Sequence, residues 1–242
     1  MRRIVGNWKA NGSTAQAQAL CAALPAPPAG VDVTVCPPLC LLWAARGSLP
    51  PGIRLGAQDV SRVDGGAFTG EVTAPMLLDA GCVLALVGHS ERRQQGAEDD
   101  ALIGLKLRAC WRHGLLPVLC VGETAAQRRD GSTDAVLAAQ VGRVLAGAPP
   151  APLWMAYEPV WAIGTGQAAT PEDCARGIAV IRAAVAEAWP AAPPVPCLYG
   201  GSVHPANCAA FWREGGADGA LVGGASLDAA AFVAICRLAG DA

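Results

Sequence analysis

Glu158 closes a short apolar run and opens the segment Pro-Val-Trp-Ala-Ile-Gly-Thr-Gly over residues 159–166. A carboxylate takes a proton from carbon only when water is kept away and the C–H bond is held against it. Val160, Trp161, Ala162 and Ile163 are apolar enough to exclude water, and Gly164 and Gly166 can flex. His89 sits in a Gly-His-Ser turn after the most apolar run, and Ser90-Glu91 behind it suit the start of a short helix. Asn7 and Lys9 stand two apart, a spacing that puts both side chains on one side of a pleat. An ammonium there offsets an anion, and the asparagine adds a neutral donor. Gly223-Gly224, and Ser202 after Gly200-Gly201, complete the set, because glycines let backbone N–H groups approach an anion closely.

Each of these has a plainer use. A Glu-Pro pair is common in surface turns, a lone histidine is usually structural, and 29 glycines produce several Gly-Gly pairs by chance. Composition sharpens one case. The chain holds 50 alanines, 19 prolines and 16 arginines but only 2 lysines and 3 asparagines, a bias that reads as GC-rich coding. Arginine is a planar fork and lysine a compact point charge, so Lys9 marks a place that needs the latter. His113 and His204 lack comparable surroundings and read as structural, and Asn11 reads as a turn with Gly12. Only 16% of residues are charged, against about a quarter in a typical domain. A net charge of −2 argues against nucleic acid and anionic membrane surfaces as partners.

The elements that must position these groups show in an alternation. Apolar runs at residues 3–5, 31–36, 54–57, 83–87, 116–121, 153–157, 196–199 and 219–222 read as strands. Ala-rich segments at 14–24, 100–113, 134–145, 171–188 and 228–238 read as helices between them. Thr170-Pro171-Glu172-Asp173 supplies an N-cap, a proline at the first helical position and acid in the first turn; Ser226-Leu227-Asp228 is a weaker start signal. Several strand runs lack alternation, as strands covered on both faces do. The pattern predicts an α/β fold: a single-domain (β/α)8 barrel over 1–242, of the usual size of about 250 residues, with a doubly wound sheet as the alternative. Proline stretches at 149–152 and 190–196 precede strands and read as rigid loops. Chemistry in such folds gathers at strand C-termini, where Asn7, Lys9, Gln58, Asp59, His89, Ser90, Glu91, Glu123, Glu158, Ser202, Gly223 and Gly224 all fall. The longest apolar run, 229–236, is too short to span a bilayer, and no apolar stretch follows the N-terminal arginines as a signal peptide requires. Ten scattered cysteines with no C-x-x-C pair predict reduced thiols, a cytoplasmic location and no zinc site.

Four blocks in order carry a family resemblance: Asn7-Trp8-Lys9; Val87-Gly88-His89-Ser90-Glu91-Arg92-Arg93; AYEPVWAIGTG from Ala156; and Tyr199-Gly200-Gly201-Ser202 with Leu221-Val222-Gly223-Gly224. Together with GAFTGEVTAPML from Gly66 and VLCVGET from Val118, they make the chain resemble the triosephosphate isomerases over essentially its whole length. The resemblance implies that Glu158 is the base that moves a proton between adjacent carbons of a triose phosphate, beneath a lid at 159–166. It implies that His89 is the electrophile on the carbonyl and enediolate oxygens, with a neutral ring, a well-known property of this family. Lys9 and Asn7 would offset the charge of the phosphate and the enediolate, with Glu91 as the carboxylate partner of Lys9. Gly164, Ser202, Gly223 and Gly224 would hold the phosphate, and Ile163 and Leu221 would form an apolar clamp above Glu158. The loop at 58–71 implies a homodimer in which Thr69 braces the neighbour's active site. No cofactor and no metal are implied. Ala10 stands where the family often has methionine, Gln167 where it has a lysine at the lid's second hinge, and residues 95–97 where it has Phe-Gly-Glu. A Schiff-base aldolase on the same barrel needs a lysine within a later strand, whereas Lys106 lies in a helical segment.

Overall fold

The computed structural model describes residues 1–163 and 168–241. Strands β1 (Arg2–Asn7), β2 (Val31–Cys36), β3 (Ile53–Ala57), β4 (Cys82–Val87), β5 (Leu116–Val121), β6 (Trp154–Tyr157), β7 (Cys197–Tyr199) and β8 (Gly219–Val222) form a closed parallel ring in chain order. The ring is sealed where β8 pairs with β1, from Arg3 opposite Gly219 to Gly6 opposite Val222. Around it run α1 (Thr14–Ala22), α2 (Leu42–Arg46), α3 (Ala74–Asp79), α4 (Ser90–Gln95), α5 (Asp100–His113), α6 (Ala125–Arg129), α7 (Thr133–Leu145), α8 (Pro171–Ala188), α9 (Cys208–Arg213) and α10 (Ala229–Gly240). The expected (β/α)8 barrel is present; the pairing of β8 with β1 rules out the open doubly wound sheet.

Burial on both faces explains the missing alternation. In β4, Leu84 and Leu86 pack inside the barrel with Val5, Val118 and Leu198, while Ala85 and Val87 pack outward beneath the helices. The interior is tight: a Cβ on Gly56 would lie 2.7 Å from Cys36 Sγ and 2.8 Å from Leu84 Cδ1. Trp154 fills the end where the strands begin, flanked by the Arg3 and Arg54 guanidinium groups at 5.2 and 5.8 Å from its ring.

Local signals set most helix ends. Thr170 and Asp173 form a reciprocal capping box on α8, with Pro171 at its first position. Asp228 caps α10 by accepting the Ala231 N–H, and α5 ends on Gly114 at φ 76. α4 opens at Ser90, where a short helix is expected, whereas α2, α3, α6 and α9 lie outside the predicted segments, because five or six residues are too few to show a 3.6-residue period. β7 starts one residue later than predicted, since Pro196 has no N–H to give the ladder. All ten cysteines are free and only Cys40 is exposed. Burial pushes the Cys82 and Cys110 thiols up to about 12, so they stay protonated and pack as small apolar groups. Among the described residues no helix is long and apolar enough to cross a membrane.

Candidate active site

The C-terminal ends of β1, β4, β6, β7 and β8 open onto one cleft of about 480 Å³. Asn7, Lys9, His89, Glu158, Ile163, Ser202, Leu221, Gly223 and Gly224 all line it, together with Trp8, Asn11, Gly200, Gly201 and His204. Gly164, Gly166 and Gln167 lie outside the described residues. Thr69 is exposed and does not line the cleft.

Lys9 reaches the cleft by a route that differs from the expected pleat. β1 ends at Asn7, and Lys9 follows at φ 53, in the left-handed region that costs a residue with a Cβ about 1–2 kcal/mol. Asn7 Oδ1 accepts the Lys9 N–H at 3.0 Å, and Gln58 Nε2 donates to the Lys9 carbonyl at 2.9 Å, so both neighbours hold the turn. The same Gln58 amide donates to the Cys36 carbonyl, which fixes it to the end of β2. The ammonium lies 2.6 Å from Glu91 Oε1. With the two side chains 27% and 41% exposed, this pair adds little stability and instead aims a charge.

Glu158 follows β6 and is only 1% exposed. Its Oε2 accepts the Ser90 N–H at 2.9 Å. Oε1 lies 3.0 Å from His89 Nε2 but off the line of a hydrogen bond, which leaves it without a donor. A Cβ on Gly200 would lie 2.9 Å from Glu158 Cγ, so that glycine makes room for the carboxylate. His89 caps α4: its Nδ1 accepts the Glu91 N–H at 3.2 Å, which puts the proton of a neutral ring on Nε2. Burial raises the Glu158 pKa, but the His89 ring, the Ser90 N–H and the Lys9 ammonium outweigh it and hold the group below the usual carboxylate range. Burial lowers the His89 pKa, and the Glu158 and Glu91 carboxylates carry the balance upward.

The remaining strand-end residues divide by direction. Asp59 turns away to Lys106, whose Nζ is 2.7 and 2.9 Å from its oxygens, and this pair belongs to a cluster with the buried Glu98 and the half-buried Arg92. Glu123 is buried outside the cleft, where it accepts from the Tyr157 hydroxyl at 3.2 Å and from Trp161 Nε1 at 2.7 Å. His113 pairs with Asp64 at 3.0 Å, whereas His204, read from sequence as structural, stands exposed on the rim of the cleft. Asn11 makes the expected turn, donating to the Trp8 carbonyl at 2.8 Å beside Gly12 at φ 102, and also faces the cleft. At the glycine-rich end, Gly223 caps a single helical turn, Gly224–Leu227, and the first N–H groups of such a turn have no carbonyl partner within it. A Cβ on Gly223 would lie 3.6 Å from Lys9 Cε, so the ammonium stem and this turn adjoin. Among the described residues, no group of three or more His, Cys, Asp and Glu side chains could hold a metal ion.

A family model described as Triosephosphate isomerase matches residues 2–239. Proteins named triosephosphate isomerase from Symbiobacterium thermophilum, Halorhodospira halophila and Xanthomonas campestris pv. campestris are 47%, 45% and 48% identical to the chain. The alignments cover 99%, 100% and 99% of this chain and 97%, 100% and 99% of those proteins.

Proposed function

The chain belongs to the triosephosphate isomerase family, and from that premise we propose how its side chains divide the work. It is an isomerase that interconverts dihydroxyacetone phosphate and D-glyceraldehyde 3-phosphate, a step of glycolysis. The observation that carries the assignment of roles is Glu158, a carboxylate 1% exposed yet kept charged, in the wall of the cleft that Lys9 enters. Glu158 takes a proton from the carbon beside the carbonyl, and the electron pair moves onto the carbonyl oxygen to give an enediolate. The proton of the neighbouring hydroxyl passes to that oxygen, the pair left on the other oxygen forms the new carbonyl, and the proton taken from carbon returns to the former carbonyl carbon. Asn7, Lys9 and His89 Nε2–H stabilise the oxygens on which the negative charge grows. Donors placed this way in a dry site are each worth about 10²–10³ in rate. Ser202, Gly223, Gly224 and Gly164 hold the phosphate, Glu91 aims Lys9, and Ile163 with Leu221 form the apolar clamp over Glu158.

The charge that raises His89 is the charge the reaction removes. Once Glu158 has taken the proton it is neutral, its upward pull ends, and burial then favours the neutral ring that donates through Nε2. A Glu158→Gln variant should therefore show the His89 NMR titration midpoint below its wild-type value, with the signal assigned through His89→Asn. An unchanged midpoint would contradict the coupling.

We further propose a homodimer joined through the loop at 58–71. Thr69 is exposed and outside its own cleft, so a bracing role fits only a partner's site. Arg112 steadies this loop by donating to both oxygens of Asp64, at 2.7 and 3.1 Å. Leu39, Trp43, Phe68 and Met76 are exposed and supply apolar area for contact. Sedimentation at micromolar concentration should report twice 24.5 kDa, and a clean monomer would refute the loop's role. Residues 1–242 are taken as one barrel domain, and the cytoplasm suits ten unpaired thiols.

A further inference from the structure

Gln140 belongs to α7, in the outer ring of helices, yet its side chain reaches the strand ends. Its Oε1 accepts the Gly122 N–H at 2.9 Å and its Nε2 donates to the Gly122 carbonyl at 3.1 Å. Gly122 lies one residue past β5, so the side-chain amide stands in for a neighbouring strand and satisfies both backbone groups. The segment held in this way carries Glu158. The Glu158 N–H donates to the Val121 carbonyl at 2.8 Å, and the Val160 N–H donates to the Glu123 carbonyl at 3.0 Å. A Cβ on Gly122 would lie 1.7 Å from the Glu158 carbonyl oxygen, so the two backbones touch and a shift in one moves the other. Behind the cleft is a second cavity of about 110 Å³, lined by Gln140, and among the described residues Glu158 alone lines both. Glu158 thus borders both cavities, and its placement rests on the Ser90 N–H that holds Oε2 and on its backbone anchor.

We propose that Gln140 is a positioning residue for the catalytic base, acting on Glu158 through the Gly122 backbone. The inference rests on the reading of Glu158 as base. Proton removal from carbon is steep in distance, and a misplacement of about 1 Å costs about 10²-fold. Of the residues proposed to hold the phosphate, Lys9, Ser202, Gly223 and Gly224 follow β1, β7 and β8, away from this anchor.

Two variants test it. Gln140→Met keeps the length of the side chain without donor or acceptor, and Gln140→Glu keeps only the acceptor for the Gly122 N–H. Per folded molecule, Gln140→Met should lose about 10- to 100-fold in kcat, with KM and the Kd of a phosphate-bearing inhibitor unchanged. Gln140→Glu should recover part of that loss. Wild-type kcat in Gln140→Met overturns the inference, as does a loss of kcat matched by an equal loss of inhibitor affinity. If the methionine variant fails to fold, Gln140→Glu decides: reduced kcat with retained inhibitor affinity supports the role, and wild-type kcat overturns it. Glu158→Gln measured alongside separates the two readings. Retained kcat there removes the base itself, whereas its collapse beside a fully active Gln140→Met removes only the role of Gln140.

Discussion

Glu158→Gln is expected to lower kcat by about 10³-fold while a phosphate-bearing inhibitor binds as tightly as to the wild type. The amide is nearly isosteric with the carboxylate, fills the same buried space and can still accept the Ser90 N–H. It can no longer hold a proton taken from carbon. A positioned base typically supplies about 10²–10⁴ in rate, and 10³ corresponds to about 4 kcal/mol of barrier. The glycine-rich turn at Gly223 and the Lys9 ammonium are untouched, so ground-state binding survives. Steady-state kinetics with glyceraldehyde 3-phosphate and inhibitor titration check both halves. A variant that keeps more than about a tenth of wild-type kcat contradicts the role of Glu158.

Lys9→Ala is expected to damage both binding and turnover, raising KM about 10-fold and lowering kcat about 10²-fold. One ammonium serves two negative charges, the phosphate present throughout and the enediolate formed on the way. Lys9→Arg should restore little, because the planar fork is larger and the stem already runs beside Gly223. The backbone supplies an internal control. At φ 53 a glycine is unstrained, so Lys9→Gly should be more stable than Lys9→Ala by about 1 kcal/mol and equally impaired. Thermal unfolding and kinetics on the three variants measure this, and unchanged KM and kcat in Lys9→Ala would refute the electrostatic role.

The barrel could be read in the chain because burial on two faces leaves a signature that few folds share. β4 shows it plainly: every residue from Leu84 to Val87 is apolar because half face the barrel interior and half face the helices. Glu158 and His89 are legible for a related reason, since they stand one and two residues past a strand and strand C-termini converge. Position along the chain says which end of the barrel a residue occupies, but not which way it points. Glu123 and Asp59 stand at the same end as Glu158, yet they turn into buried hydrogen bonds and ion pairs away from the cleft. Lys9 lines the cleft, but the pleat argument fails in detail, because the chain leaves β1 through a left-handed residue. Gln140 leaves no local mark at all, and Gly200 shows only as part of the Tyr199–Ser202 block, not as the room Glu158 needs. The contact of Gln140 with Gly122 spans 18 residues and exists only once α7 packs against β5, and Gly200 matters only because Glu158 Cγ needs the space. Tertiary contacts of this kind have no period, cap or motif by which to be recognised.

Deuterium incorporation tests the central claim most directly, because it follows the proton that Glu158 is said to carry. In D2O the wild-type chain should place solvent deuterium on carbon, at C1 of dihydroxyacetone phosphate and at C2 of glyceraldehyde 3-phosphate, as the carboxyl exchanges what it has taken. Glu158→Gln should bind the inhibitor normally and incorporate deuterium about 10³-fold more slowly than the wild type. Incorporation at the wild-type rate in that variant would mean that another group removes the proton, and would contradict the account.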